Sequence, residues 1–145
     1  MPGGIVAGQA WKSEDNVDLA RYQRAKTSAL FAAAAMAGAV SAGYAPAAWR
    51  ALGENLGDAY QIADDLCDAA GDAAVCGKPI GQDNALHRPS AVAQYGIDGA
   101  LDRLDVIAEA AAASIPDCPG AVPLRALIVQ EAKRLVPKAL VRVAA

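Results

Sequence analysis

Tyr60-Gln61-Ile62-Ala63-Asp64-Asp65-Leu66-Cys67-Asp68 reads as part of a long amphipathic helix carrying a D-D-x-x-D cluster. At about 100° of rotation per residue, Leu52, Leu56, Ala59, Tyr60, Ala63, Leu66 and Cys67 fall on one apolar side. Gln61, Asp64, Asp65 and Asp68 fall on the opposite side, within roughly a third of a turn. Three carboxylates so close repel one another unless a cation neutralises them. Hard divalent cations, Mg²⁺ above all, take such oxygen ligands and keep positions open for phosphate oxygens. An ordinary surface helix carries the same stripe as a solvated acidic face. The segment alone therefore leaves two readings open, a metal site or a solvated face.

The rest of the chain bounds the answer. Its 145 residues suit one domain with a real core, so residues 1–145 are read as a single helical domain. Hydrophobic residues make up 54% and aromatics only 5%; much of the apolar content is alanine, the strongest helix former. That balance predicts an all-α protein packed through small side chains. A formal charge of −3 argues against a nucleic-acid footprint. The longest nearly uncharged stretch has an apolar centre, residues 29–40, shorter than the about 20 residues a membrane span needs. It reads as a buried core helix. Met1-Pro2-Gly3-Gly4 has no basic region leading into an apolar one, so no secretory signal is visible and the expected compartment is the cytoplasm. Cys67, Cys76 and Cys118 lack metal-type spacing, and the odd count favours reduced, structural thiols. His87 is the only histidine, which leaves little room for a histidine-centred triad.

Four or five helical segments are expected. A short one covers about residues 4–12 and a long one about residues 17–43, with Gly43 placed as a stop signal. Pro46 suits the first turn of the next helix, which carries the aspartates and ends near Gly71. Residues 71–89 form a long Gly- and Pro-containing loop, of the kind that is often functional. Helix resumes over about residues 90–114, breaks at Ile115-Pro116-Asp117-Cys118-Pro119-Gly120, and returns from about Val122 until Leu135, before Pro137. Two lysines stand out. Lys26 sits within an otherwise apolar helix, just before Ala29-Leu30-Phe31, where it snorkels or faces a polar cavity. Lys78 follows Gly77, and a glycine there lets backbone approach a phosphate, although a lone Gly-Lys pair is weak evidence. Lysines together with metal-binding aspartates are what a diphosphate leaving group needs, because both absorb the charge that builds as the carbon–oxygen bond breaks.

In their order along the chain these elements resemble the trans-isoprenyl diphosphate synthases, a family of polyprenyl synthetases. Gly4-Ile5-Val6-Ala7-Gly8-Gln9 is similar to the family's G-x-x-x-G-Q helix, and Tyr22 with Lys26-Thr27 to its Y-x-x-x-K-T segment. Leu52-Gly53, Gly57 and Tyr60 onward to Asp68 resemble its second aspartate-rich motif, and Gly77-Lys78-Pro79 with Gly81-Gln82-Asp83 the loop after it. Within the family the chain is similar to the geranylgeranyl diphosphate synthases of bacterial carotenoid and bacteriochlorophyll pathways. Any one element is unspecific; the ordered set is specific.

The resemblance implies an antiparallel helical bundle, part of the isoprenoid synthase fold, and a prenyltransferase of isoprenoid biosynthesis. It implies that Asp64 and Asp68 bind Mg²⁺ bridging to an allylic diphosphate, with Asp65 supporting. Lys26, Lys78 and Arg88 would hold the diphosphate, Thr27 and Gln61 would line the cavity where the allylic cation forms, and Lys26, Thr27 and Gln61 would be the catalytic residues. That cation is then attacked by the double bond of isopentenyl diphosphate. Leu86-His87-Arg88-Pro89-Ser90 departs from the G-K-x-T that many members carry, and Arg88 puts a planar fork where they have a point charge. A larger departure is the lack of a second D-D-x-x-D. The family is roughly twice as long, with its first aspartate-rich motif upstream. The chain is therefore expected to be a fragment matching the C-terminal half, inactive alone. It would be completed by an N-terminal half or a partner synthase chain, and would form a homo-oligomer through its uncovered apolar faces. The competing expectation is a non-catalytic regulatory subunit of a complete synthase, for which the intact aspartates and lysines have no use.

Overall fold

The computed structural model describes residues 27–70 and 90–140. The expected helix at residues 4–12, the start of the long helix and the loop at residues 71–89 lie outside them. Helix α1 spans Ala29–Ser41, a 3₁₀ turn covers Pro46–Trp49, and helix α2 follows directly over Arg50–Ala70. Helix α3 spans Ala91–Ala113, helix α4 spans Ala121–Leu135, and a second 3₁₀ turn covers Lys138–Leu140. Among the described residues there is no strand, and no helix is long and apolar enough to cross a membrane. The all-α expectation holds.

Local signals set the helix ends. Gly43 takes φ +79°, a left-handed conformation that costs a Cβ-bearing residue more. It lets the Gly43 N–H donate to the Val40 carbonyl at 3.0 Å and the Tyr44 N–H to the Ala39 carbonyl at 2.8 Å. These bonds satisfy carbonyls that the end of α1 would leave orphaned. Ser90 caps α3, its Oγ accepting from the Ala93 N–H at 3.1 Å. The helix expected over about residues 90–114 is present, and Gly96 at φ +72°, ψ 174° kinks it, a conformation essentially reserved for glycine.

Contacts fix the direction of packing. Thr27 meets Gln61, Ser28 meets Gly57, and Ala32 meets Gly53, so α1 and α2 run antiparallel. On the other flank of α2, Ala59, Ile62, Ala63 and Leu66 share a core with Ala91, Ala100, Leu101 and Leu104 of α3, joined by Val136 and Leu140. Towards the opposite end, Leu52 packs in a cluster with Ala111, Ile115 and Ala121. Asp65 near one end of α2 reaches Ala91, so α2 and α3 are antiparallel too. Fully burying Ile62, Leu66 and Leu104 contributes about 2 kcal/mol each.

Three expectations need correction. The helical pattern puts Tyr60 on the apolar side, but it is 46% exposed and leans on Phe31, with ring centroids 5.5 Å apart. The ring lies at the edge of the α1–α2 seam because Gly53, Gly57 and Gln61 form the seam itself. Composition makes α1 a buried core helix, yet only Ala32 and Ala39 are buried, and Leu30 and Val40 are more than half exposed. Helix α2 covers one side of it, and apolar composition all round does not by itself supply a neighbour for the other side. Cys118 is free as expected, but Cys67 is disulfide-bonded, since the folded chain, not linear spacing, sets which thiols meet.

The seam leaves no room for side chains on α2. A Cβ at Gly53 would lie 2.5 Å from the Phe31 carbonyl oxygen, and one at Gly57 would press into the Ser28 Cα. Forced overpacking costs about 1–3 kcal/mol, against about 1 kcal/mol gained when alanine replaces glycine in a helix. Gly57→Ala should therefore lower the urea midpoint, with a net loss of stability of up to about 2 kcal/mol. Gly38→Ala, on a part of α1 with nothing within 4 Å, should raise the midpoint, with a gain in stability of up to about 1 kcal/mol.

Candidate functional site

The close α1–α2 crossing brings a row of polar side chains into register. The Thr27 hydroxyl donates to Gln61 Oε1 at 3.0 Å. Gln61 Nε2 donates to Asp65 Oδ1, one helical turn on, also at 3.0 Å. Asp65 Oδ2 accepts the backbone N–H of Ala91, the first residue of α3, at 2.6 Å. One continuous chain of hydrogen bonds thus runs from the start of α1 through α2 to α3. Gln61 is 6% exposed and Asp65 3%. The amino end of a helix carries unsatisfied N–H groups and partial positive charge, so a carboxylate is favoured there.

The aspartate cluster divides by surroundings. Asp65 and Asp68 are buried, while Asp64 is only partly so. Asp64 lines a cleft of about 240 Å³ together with Tyr60, Ala63, Cys67, Arg134 and Val136. The cleft therefore holds an acidic and a basic group, with Arg134 also paired to Glu131 at 2.7 Å. Among the described residues no three carboxylate, thiol or imidazole groups converge closely enough to hold a metal ion unaided. Mg²⁺ is held typically by one or two carboxylates, with water and substrate phosphate oxygens filling the remaining positions. Asp64 and Asp68, an i,i+4 pair on one side of α2, fit that two-carboxylate pattern.

Of the residues singled out from the sequence, Thr27, Gln61 and Asp65 are joined directly, and Asp64 and Asp68 lie on the same stretch of α2. Lys26, Lys78 and Arg88 lie outside the described residues. Three participants escaped the sequence reading. Asp58 accepts a hydrogen bond from Ser28, which is wholly buried. Asp58 lies on the same stripe of α2 as Gln61 and Asp65, so extending the helical arithmetic one turn back would have found it. Arg134 had no such signal, because only folding carries it to Asp64. Ser28→Ala would leave Asp58 without this donor and should cost about 1 kcal/mol in chemical denaturation.

The chain compares closely with known proteins. The family model described as polyprenyl synthetase matches residues 3–121. A geranylgeranyl diphosphate synthase of Cereibacter sphaeroides is 50% identical over 137 residues, covering 94% of this chain and 48% of the relative. One from Rhodobacter capsulatus is 51% identical over 134 residues, covering 92% of this chain and 46% of the relative. A farnesyl diphosphate synthase of Geobacillus stearothermophilus is 34% identical over 119 residues, 76% of this chain and 40% of the relative. The chain spans about half the length of these curated relatives. With the family model matching most of its residues and an all-helical architecture to go with it, the chain belongs to the polyprenyl synthetase family, whose fold is the all-α isoprenoid synthase fold.

Proposed function

We propose that this chain supplies the Mg²⁺- and allylic-diphosphate-binding side of a cytoplasmic prenyl diphosphate synthase site. The complete site would condense an allylic diphosphate head-to-tail with isopentenyl diphosphate and make geranylgeranyl diphosphate. The observation that carries the reading is the α1–α2 register, which aligns Thr27 and Gln61 with the aspartate stripe. The half-identity to two geranylgeranyl diphosphate synthases supports the choice of product.

In this reading Asp64 and Asp68 offer carboxylate oxygens towards Mg²⁺, and Lys26, Lys78 and Arg88 hold the diphosphate. Mg²⁺ held there would supply positive charge to offset that of the leaving diphosphate. The allylic carbon–oxygen bond breaks with its electron pair departing on diphosphate. The isopentenyl double bond then attacks the carbocation, and loss of a proton to the released diphosphate restores a neutral chain end. Thr27 directs its proton at Gln61, which leaves oxygen lone pairs, the electron-rich side of a hydroxyl, to face a cation. Gln61 is locked at both ends of its amide, so it presents a fixed dipole that needs no reorganisation when charge develops.

Calorimetric titration of dimethylallyl diphosphate tests the reading. Binding should require Mg²⁺ and weaken at least about tenfold in Asp64→Ala, the loss of one charge-assisted contact. Mg²⁺-independent binding, or an unaffected Asp64→Ala, would sink it. If the wild-type chain binds no diphosphate yet associates with a complete synthase, the regulatory-subunit reading takes its place.

We further propose that the uncovered side of α1 is an association surface. Leu30, Ala33, Ala34 and Ala37 form a broad apolar face opposite buried Ala32 and Ala39. Apolar surface of this kind drives association. Light scattering at micromolar concentration should give a mass above that of one chain, and a compact monomer would count against the surface.

A further inference from the structure

Asp65 sits between the two carboxylates proposed to face Mg²⁺, yet its surroundings differ from those of Asp64. It is 3% exposed, and each of its oxygens already receives a protein donor, Gln61 Nε2 on one and the Ala91 N–H on the other. A buried carboxylate engaged at both oxygens is poorly placed to meet a strongly hydrated ion, which dehydrates reluctantly. It is well placed to hold other groups still.

We infer that Asp65 is a positioning residue. One oxygen fixes the Gln61 amide, and through it the Thr27 hydroxyl; the other pins the amino end of α3 to α2. This deepens the proposed function, on which it rests for the part Gln61 and Thr27 play. Gln61 Oε1 is occupied by the Thr27 proton, so only its Nε2 remains for Asp65. The orientation of the Gln61 amide is thus dictated from both sides. Without the carboxylate, the amide could turn over and present the opposite dipole to the cavity.

Reversing the polarity of the contact separates positioning from metal ligation. Gln61→Glu alone sets two carboxylates at the present 3.0 Å contact and should lower both the thermal midpoint and the Mg²⁺-dependent affinity for dimethylallyl diphosphate. Adding Asp65→Asn restores a donor–acceptor pair with the roles exchanged. The introduced amide would donate to the introduced carboxylate, which would still accept the Thr27 proton, and the amide oxygen would remain for the Ala91 N–H. The double variant should recover most of both losses. A double variant no better than Gln61→Glu would overturn the inference, because the carboxylate would then be needed at position 65 for itself.

A second readout needs no ligand. Amide exchange at Ala91 should quicken roughly tenfold in Asp65→Ala, which removes its acceptor, and stay near wild type in Asp64→Ala. Equal exchange in the two variants would contradict the assignment. Should the wild-type chain bind no diphosphate, the proposed function fails. The thermal midpoints and the Ala91 exchange still decide the role of Asp65.

Discussion

A buried carboxyl group must find hydrogen-bond partners in place of water, and Asp65 finds them by tying three helices together. Its partners come from α2 itself and from the first N–H of α3, and Gln61 extends the link to Thr27 ahead of α1. The arrangement requires α1 and α2 to be close, which Gly53 and Gly57 permit by presenting only backbone at the seam. It also requires α3 to begin at Ser90, whose hydroxyl caps the N–H of Ala93. Apolar burial between α2 and α3 favours the folded chain, while the polar chain of hydrogen bonds fixes how the helices meet.

Much of the architecture is legible without coordinates because its causes are local. Gly43 stops α1 by adopting a left-handed conformation, Pro46 opens a turn where its missing N–H is harmless, and the break around Pro116 separates α3 from α4. The kink at Gly96 could not be inferred the same way. A glycine inside a helical pattern is compatible with either a straight helix or a bend, and tertiary contacts choose. The exposure of α1 escapes a sequence reading for a related reason. Composition states what a helix would prefer to bury, not what lies beside it.

The site divides along the same line. The spacing of Gln61, Asp64, Asp65 and Asp68 gathers them on one side of α2, and that much holds. A one-dimensional pattern leaves a metal site and a solvated face both open for that side, whereas in the fold Gln61, Asp65 and Asp68 are buried. Helix α2 has neighbours on two flanks, so its polar stripe faces α1 and the start of α3. The division of labour between Asp64 and Asp65, adjacent and chemically identical, is therefore invisible in sequence. It comes from which oxygen meets which donor, and Arg134 enters the cleft of Asp64 by tertiary folding alone.

In the proposed function, metal is held at Asp64 and Asp68 on α2 when diphosphate is present. The most direct measurement substitutes paramagnetic Mn²⁺ for Mg²⁺, adds inorganic diphosphate, and records line broadening of backbone amides along the chain. Broadening centred on residues 64–68 and fading with distance along α2 is the predicted result. Broadening spread over the acidic surface, or centred on carboxylates elsewhere such as Asp102 and Asp105, would contradict the account.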